Sequence, residues 1–172
     1  MIRSLTEKDY STVIDIVNIN WKKTYSNYVS PLLLNEDGCK KRADRLKHDF
    51  QSKRLSEYVW EEQGNVLALL SIGDTADTDK KGFFEIWRIY VKPEAQGRNI
   101  GSQCLAFAEQ EAKKRCYQEI IIWAFQENTK AISFYQKNGY VIDKNEYLGK
   151  PYLTVGTRLI KKFNEKFQFV KL

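Results

Sequence analysis

The sequence Ile89-Tyr90-Val91-Lys92-Pro93-Glu94-Ala95-Gln96-Gly97-Arg98-Asn99-Ile100-Gly101 predicts the fold of this 172-residue chain. The apolar, β-branched and aromatic run that ends at Val91 is typical of a β-strand. Pro93 ends the strand because proline cannot donate a hydrogen bond to a strand ladder. A helix is predicted to begin at Asn99. The stretch is therefore predicted to form a strand–turn–helix junction.

The turn in this junction has the chemistry of an anion site. The first N–H groups of a helix lack backbone partners and carry a partial positive charge, so anions bind there. Gly97 and Gly101 allow a diphosphate to approach the backbone, Arg98 adds a full charge, and Ser102 adds a hydroxyl. The glycine spacing taken alone favours an ordinary turn. Neither GxGxxG nor GK[ST] is present, so neither a dinucleotide fold nor a P-loop is supported.

Before the junction, the sequence predicts two helices and four strands. Gly64-Asn65 separates two apolar runs, which indicates a hairpin. Thr6 and Asp9 have a variant of the capping-box spacing, so the first helix is predicted to begin at Thr6. In chain order these elements are a strand over 2–5, a helix from Thr6, a basic helix over 36–50, and strands over 58–60, 66–72 and 83–91.

After the junction, two helices and three strands are predicted. Asn128 can cap a helix that runs to Lys137, and Asn138-Gly139 can stop it. The near-continuous apolar run over 119–125 is expected of a strand that is covered on both faces. The remaining elements are a helix over 99–115, whose inward side chains include Cys104, and strands over 140–142 and 152–160.

Composition limits the classes of function. A chain of this length fits one domain, and no apolar run approaches the ~20 residues that span a bilayer. The polar start lacks the apolar stretch of a signal peptide, so a cytoplasmic location is predicted. Cys39, Cys104 and Cys116 form no CxxC pair, and His48 is the only histidine, so a metal site is not predicted. Cys104 and Cys116 are predicted to be interior helix residues. The net charge of +6 favours anionic partners of several kinds.

A second pattern lies one helix and one strand beyond the junction: Asn128-x-x-Ala131-Ile132-x-Phe134-Tyr135-x-x-x-Gly139-Tyr140. The two patterns together resemble the two signatures of the GNAT superfamily, the acyl-CoA-dependent N-acyltransferases. The first of these signatures is Gln/Arg-x-x-Gly-x-Gly/Ala. Asn99 stands where the family has its middle glycine, and asparagine tolerates left-handed backbone angles better than most residues. The resemblance covers about residues 2–160.

The resemblance implies an α/β fold in one domain over residues 1–162. The residues that follow, 163–172, are predicted from their composition to form a basic, aromatic tail. The central sheet is expected to be mixed and mostly antiparallel, with about six to seven strands. It is expected to splay near Val91 and to be flanked by helices. Acetyl-CoA is the implied acetyl donor, with no metal.

The resemblance also implies how the donor binds. Its pantetheine arm would pair with the backbone between the splayed strands, like a missing strand. The amides from Gly97 to Ser102 would take the pyrophosphate, and Asn128 would contact the pantetheine or phosphate region. The implied cofactor-binding residues are Ile89, Tyr90, Val91, Gln96, Gly97, Arg98, Asn99, Ile100, Gly101, Ser102 and Asn128.

Two catalytic roles are implied. An alkyl amine has a pKa of about 10.4 and must lose a proton before it attacks, which a carboxylate can accept. Glu85 is the leading candidate base, and a strand residue in a salt bridge is an equal alternative. The weaker candidates are Glu61, Glu127 and Glu146. Tyr135 matches the family's general acid, with a packing tyrosine as the alternative.

The predicted reaction is direct transfer to a small amine, an amino acid or a peptide N-terminus in a ternary complex. In the family the segment between the first two helices shapes the acceptor pocket, and here residues 21–28 contain aromatic rings but no acid. A regulatory domain that binds acyl-CoA without catalysis is one alternative. A nucleic-acid-binding module that uses residues 161–171 is a weaker one. A homodimer is possible, and no membrane partner is predicted.

Overall fold

The computed structural model describes residues 1–163, so most of the predicted tail lies outside the described residues. The predicted order of seven strands and four helices is confirmed. The elements are β1 (Ile2–Ser4), α1 (Tyr10–Tyr25), α2 (Glu36–Gln51), β2 (Ser56–Glu62), β3 (Asn65–Asp74), β4 (Phe84–Val91), α3 (Ile100–Lys114), β5 (Glu119–Phe125), α4 (Thr129–Lys137), β6 (Val141–Tyr147) and β7 (Val155–Lys162).

All seven strands form one sheet in the order β1-β2-β3-β4-β5-β7-β6. Every neighbouring pair is antiparallel except β4 and β5, which are parallel, so the predicted mixed and mostly antiparallel sheet is confirmed. One face packs on α3 and α4 through a large apolar core, and the other packs on α1 and α2 through a smaller one. The site is therefore built between two helical layers.

Strands β4 and β5 separate halfway along β4. They pair only over Phe84 to Ile86, opposite residues 120–122. On the other side of β4, Ser71 lies opposite Arg88 while Ile72 lies opposite Ile86, which leaves Trp87 as the extra residue of a β-bulge. The rest of β4 pairs with β3 alone. The predicted splay is confirmed, and it begins at Trp87, before Val91.

Buried charges hold the bulge against α2. Arg88 donates to Asp49 of α2 at 2.5 Å and to Glu57 of β2 at 3.3 Å. Arg54 donates to Asp49 at 2.8 Å, and its guanidinium carbon lies 4.1 Å from the centre of the Trp87 ring. Burial alone would raise the pKa of Asp49, but hydrogen bonds from the two arginines hold it at about 2. Asp49 is therefore a charged anchor for the bulge.

Two predictions about the ends of elements differ from the structure. Cys104 is buried as predicted, but the prediction for Cys116 is wrong: α3 ends at Lys114, and Cys116 is exposed in a left-handed turn at φ 63°. Strand β6 is longer than the predicted 140–142. Its polar residues disfavour a strand, and pairing with β7 overrides that preference.

Helix starts follow the predicted capping. The Asn128 side chain accepts from the backbone N–H of Ala131 at 3.3 Å. Asp9 accepts from the backbone N–H and the hydroxyl of Thr6, at 2.8 and 2.9 Å, although a short 3₁₀ turn precedes α1. Over residues 1–163, no helix is long and apolar enough to cross a membrane.

Candidate active site in the gap between two strands

A cavity of about 560 Å³ occupies the gap that the bulge opens. Its walls come from α1, the free end of β4, the turn after β4, the start of α3, and α4. Tyr135 also lines it. Of the eleven predicted cofactor-binding residues, ten line the cavity: Ile89, Tyr90, Val91, Gln96, Gly97, Asn99, Ile100, Gly101, Ser102 and Asn128.

The start of α3 is open to a ligand. Gly97 at φ 79° and Asn99 at φ 63° are both left-handed. In this conformation the Asn99 side chain makes no capping hydrogen bond to any described residue, whereas Asn35 and Asn128 cap α2 and α4. The first N–H groups of α3 are thus left without a side-chain cap. A helix start of this kind fits a pyrophosphate.

Arg98 is the predicted cofactor residue that does not line the cavity. Its guanidinium pairs with Glu62 of β2, and the other oxygen of Glu62 accepts from Trp60 Nε1 at 2.9 Å. The side chain of Arg98 therefore points toward β2. In this conformation only its backbone belongs to the turn.

Asn20 of α1 is a site residue that the sequence reasoning missed. It lines the cavity, is 7% exposed, and donates through Nδ2 to the carbonyl oxygen of Val91 at 3.0 Å. A signal was present, because Asn20 follows Val13 and Ile16 at helical spacing on the buried face of α1. A polar residue on such a face needs a partner, and Asn20 finds it in β4.

Tyr135 lies in the cavity wall and is 6% exposed. Burial, with a smaller contribution from Tyr90, raises the pKa of its hydroxyl well above the usual range for tyrosine. The hydroxyl therefore keeps its proton at neutral pH. A protonated phenol at this place can act as a hydrogen-bond donor to a reacting group.

Glu85 does not line the cavity. It lies on β4 before the bulge, on the opposite face of the sheet from Phe84 and Ile86, and is 6% exposed. Thr75 donates to its carboxylate at 2.7 Å. Burial raises the pKa of Glu85 to about 7, although the bond from Thr75 opposes this shift. Glu85 can therefore exchange a proton near neutral pH, although its carboxylate is not part of the cavity wall.

The weaker candidate bases have other partners. Glu61 pairs with Arg3 at 2.5 Å, and Glu146 pairs with Lys144 at 2.9 Å. Glu127 accepts from the hydroxyl of Thr154 at 2.8 Å. Over residues 1–163, no group of three or more His, Cys, Asp or Glu side chains could hold a metal ion.

An aromatic wall lies beside the cavity at Tyr25. The centre of the Phe125 ring is 5.0 Å from that of Tyr25, 5.8 Å from that of Trp21 and 5.9 Å from that of Tyr152. The hydroxyl of Tyr28 is buried and has no partner among residues 1–163. Burial, and to a lesser extent Glu127, raises the pKa of Tyr28 to about 12. Aromatic faces and nearby oxygen atoms suit an ammonium group.

Comparison with known proteins identifies the family of this chain. A sequence model described as the acetyltransferase (GNAT) family matches residues 15–140, which is more than half of the chain. The chain therefore belongs to the acetyltransferase (GNAT) family. It is an acetyl-CoA-dependent N-acetyltransferase.

Individual relatives agree with this class. The chain is 27% identical over 154 residues to spermidine N(1)-acetyltransferase of Thermoplasma acidophilum, covering 84% of this chain and 90% of the relative. It is 29% identical over 97 residues to a peptidyl-lysine N-acetyltransferase of Escherichia coli, covering 56% and 58%. The solved PaiA N-acetyltransferase of Thermoplasma acidophilum, in complex with coenzyme A, has a TM-score of 0.75 and 24% identity over 95% of this chain and 98% of that one.

Replacing Asn99 tests the open start of α3. Asn99→Gly is expected to stabilise the fold by about 1 kcal/mol and keep coenzyme A affinity, because glycine adopts positive φ without strain. Asn99→Val is expected to destabilise it by roughly 1–3 kcal/mol and weaken coenzyme A binding, because a β-branched residue resists this conformation. Urea denaturation and calorimetric titration measure the two effects.

Cys116 provides a matched control because it has the same φ of 63° outside the cavity. Cys116→Gly and Cys116→Val should change stability in the same directions and leave coenzyme A affinity unchanged. Equal stabilities of the Asn99→Gly and Asn99→Val variants would contradict a left-handed residue at this position.

Proposed function

We propose that the protein transfers the acetyl group of acetyl-CoA directly to a primary amine in a ternary complex. One observation carries the proposal: a single cavity reaches from the uncapped start of α3 to the aromatic wall at Tyr25. Donor and acceptor can therefore be held together, and no covalent enzyme intermediate is needed. When bound, acetyl-CoA supplies an activated thioester.

The chain's own residues account for donor binding. The N–H groups from Gly97 to Ser102 receive the pyrophosphate, and Gly101 keeps the backbone accessible. The side-chain oxygen of Asn128 caps α4, which leaves its amide N–H groups free to donate to the pantetheine. Along Ile89 to Val91 the backbone is not paired with β5. Apart from the carbonyl of Val91, which already accepts from Asn20 and Gln96, this edge can bond the pantetheine amides as a neighbouring strand would.

The same free edge supports the chemistry. A backbone N–H from β4 that donates to the thioester oxygen stabilises the negative charge that develops there. Tyr135 donates its proton to the departing sulfur. Glu85 accepts a proton from the amine through water, because its carboxylate lies outside the cavity wall. These roles require Tyr135 to be protonated and Glu85 to be ionised.

The acceptor is proposed to be a small amine, an amino acid or a peptide N-terminus. Two features favour an acceptor that carries a cation: the Glu127 carboxylate and the rings of the aromatic wall, which are Trp21, Tyr25, Phe125 and Tyr152. A relative that matches 84% of the chain is named for acetylating spermidine. A polyamine is therefore included among the small amines to be tested.

An amine panel tests the proposed function. Free thiol release from acetyl-CoA is followed with spermidine, monoamines, amino acids and a peptide with a free N-terminus. At least one amine should raise the rate well above the rate of acetyl-CoA hydrolysis, with mass spectrometry detecting the acetylated product. Binding of coenzyme A without transfer to any member would contradict the proposal.

Tyr135→Phe removes only the proposed acid. We expect kcat to fall by roughly 100-fold, because general acid catalysis contributes that much or more. Coenzyme A affinity should change little, since the ring remains. Tyr147→Phe, on an exposed residue of β6, is the control and should retain full activity. Equal turnover in the Tyr135→Phe variant would remove this tyrosine from the mechanism.

Glu85→Gln tests the proposed base through the pH profile. A base acts only when it has lost its proton, so a pKa of about 7 predicts that wild-type kcat rises with pH and levels off above 7. In the variant the rise of kcat with pH around pH 7 should disappear, and kcat should fall by roughly 100-fold. Activity should then rise only as the amine itself deprotonates, toward its pKa of about 10.4.

Glu111→Gln is the control, since Glu111 pairs with Lys114 at the far end of α3. It should keep the wild-type profile. A Glu85→Gln variant whose kcat still rises with pH around pH 7 would reject Glu85 as the base.

The cytoplasmic location, the homodimer and the domain boundary at 162 stay predictions from the sequence.

A further inference from the structure

We infer that Asn20 is a positioning residue that couples the cofactor loop (Gln96 to Ser102) to α1, the helix that contributes to the acceptor side of the cavity. The inference deepens the proposed function, because it rests on acetyl-CoA binding at the turn from Gly97 to Ser102. It assigns to one buried amide a role in aligning donor and acceptor.

The side chain of Asn20 is bonded on both sides. Its Nδ2 donates to the carbonyl of Ile16 at 2.8 Å and to the carbonyl of Val91 at 3.0 Å. Its Oδ1 accepts from Gln96 Nε2 at 3.3 Å. Gln96 Nε2 also donates to Val91 at 3.2 Å, which closes a triangle of contacts. The triangle joins α1, the end of β4 and the first residue of the cofactor loop.

The stability of α1 does not explain why residue 20 is an asparagine. The neighbours of Asn20 on the buried face of α1 are apolar, and a leucine there would avoid the cost of burying a polar group. Beyond its own helix, Asn20 bonds only to Val91 and Gln96 among residues 1–163. All three residues line the cavity. Its contacts therefore serve the geometry of the site.

The position of Asn20 along α1 connects the two halves of the cavity. Thr24 and Tyr25, about one turn further along α1, line the same cavity, and Tyr25 belongs to the aromatic wall. A helix transmits a displacement over one turn almost unchanged. Fixing Val91 and Gln96 in the cofactor complex therefore fixes Tyr25. Ordering Tyr25 before the acceptor arrives lowers the entropy cost of acceptor binding, which makes the coupling positive. Because coupling is reciprocal, donor and acceptor should each bind more tightly in the presence of the other.

Asn20→Leu tests the coupling in the full-length protein. Calorimetric titration with coenzyme A should give a Kd about tenfold higher than wild type, because Val91 and Gln96 lose their shared partner. The KM for the best amine of the panel should rise at saturating acetyl-CoA. In the wild-type protein, coenzyme A should raise the affinity for the acceptor. In the Asn20→Leu variant, this increase should be close to zero.

Asn18→Leu is a matched control on the same helix. Asn18 accepts from Arg42 Nε at 3.0 Å and does not line the cavity. This variant should lose some thermal stability while keeping the wild-type Kd for coenzyme A. Asn20→Ala is a second variant, which removes the same amide without adding volume. Combining Asn20→Leu with Gln96→Leu should give a Kd increase smaller than the product of the two single effects.

The outcomes are distinct. If Asn20→Leu and Asn20→Ala lower the melting temperature but keep the wild-type Kd for coenzyme A, the residue is merely structural and the inference is overturned. Loss of the fold in both variants, or fully multiplicative effects with Gln96→Leu, would overturn it too. Failure of the wild-type protein to bind coenzyme A would instead reject the cofactor placement in the proposed function.

Discussion

Trp87 interrupts the ladder between β3 and β4, and β4 leaves β5 at the same point. An unpaired strand edge inside a sheet is costly, since each buried N–H and C=O group needs a partner. Here the edge faces a cavity, where a ligand with amide groups can supply those partners. The bulge therefore creates the binding edge and the space for the ligand together. Every proposed role in the site depends on this separation.

The bulge is in contact with charges that are expensive to bury. Asp49 is fully buried, yet Arg54 and Arg88 keep it ionised. Removing one partner from a buried ion pair costs several kcal/mol, because the remaining charge stays desolvated. The network contacts the bulge through the Trp87 ring and through Arg88, which follows it.

The sequence predicts the elements, and the family resemblance predicts the mixed sheet and its splay, but neither predicts the side-chain contacts between distant elements. Apolar runs and periodicity, capping residues and turn signals predict seven strands and four helices, because these patterns are local. The bulge was not predicted, since Trp87 sits within an apolar, aromatic run that resembles a regular strand. Arg98 was expected in the cofactor site, and its side chain instead pairs with Glu62 on a distant strand. Asn20 was missed because its partners lie about seventy residues away.

Asparagine begins three helices within residues 1–163, and the backbone conformation decides what each one does. Asn35 and Asn128 have negative φ, and their side chains accept hydrogen bonds from the first N–H groups of α2 and α4. Asn99 has a φ of 63°, and its side chain makes no capping hydrogen bond to the N–H groups of α3. A cap there would compete with a phosphate for the same donors. The left-handed turn thus keeps α3 open, and asparagine serves there in place of the family's glycine because it tolerates that conformation.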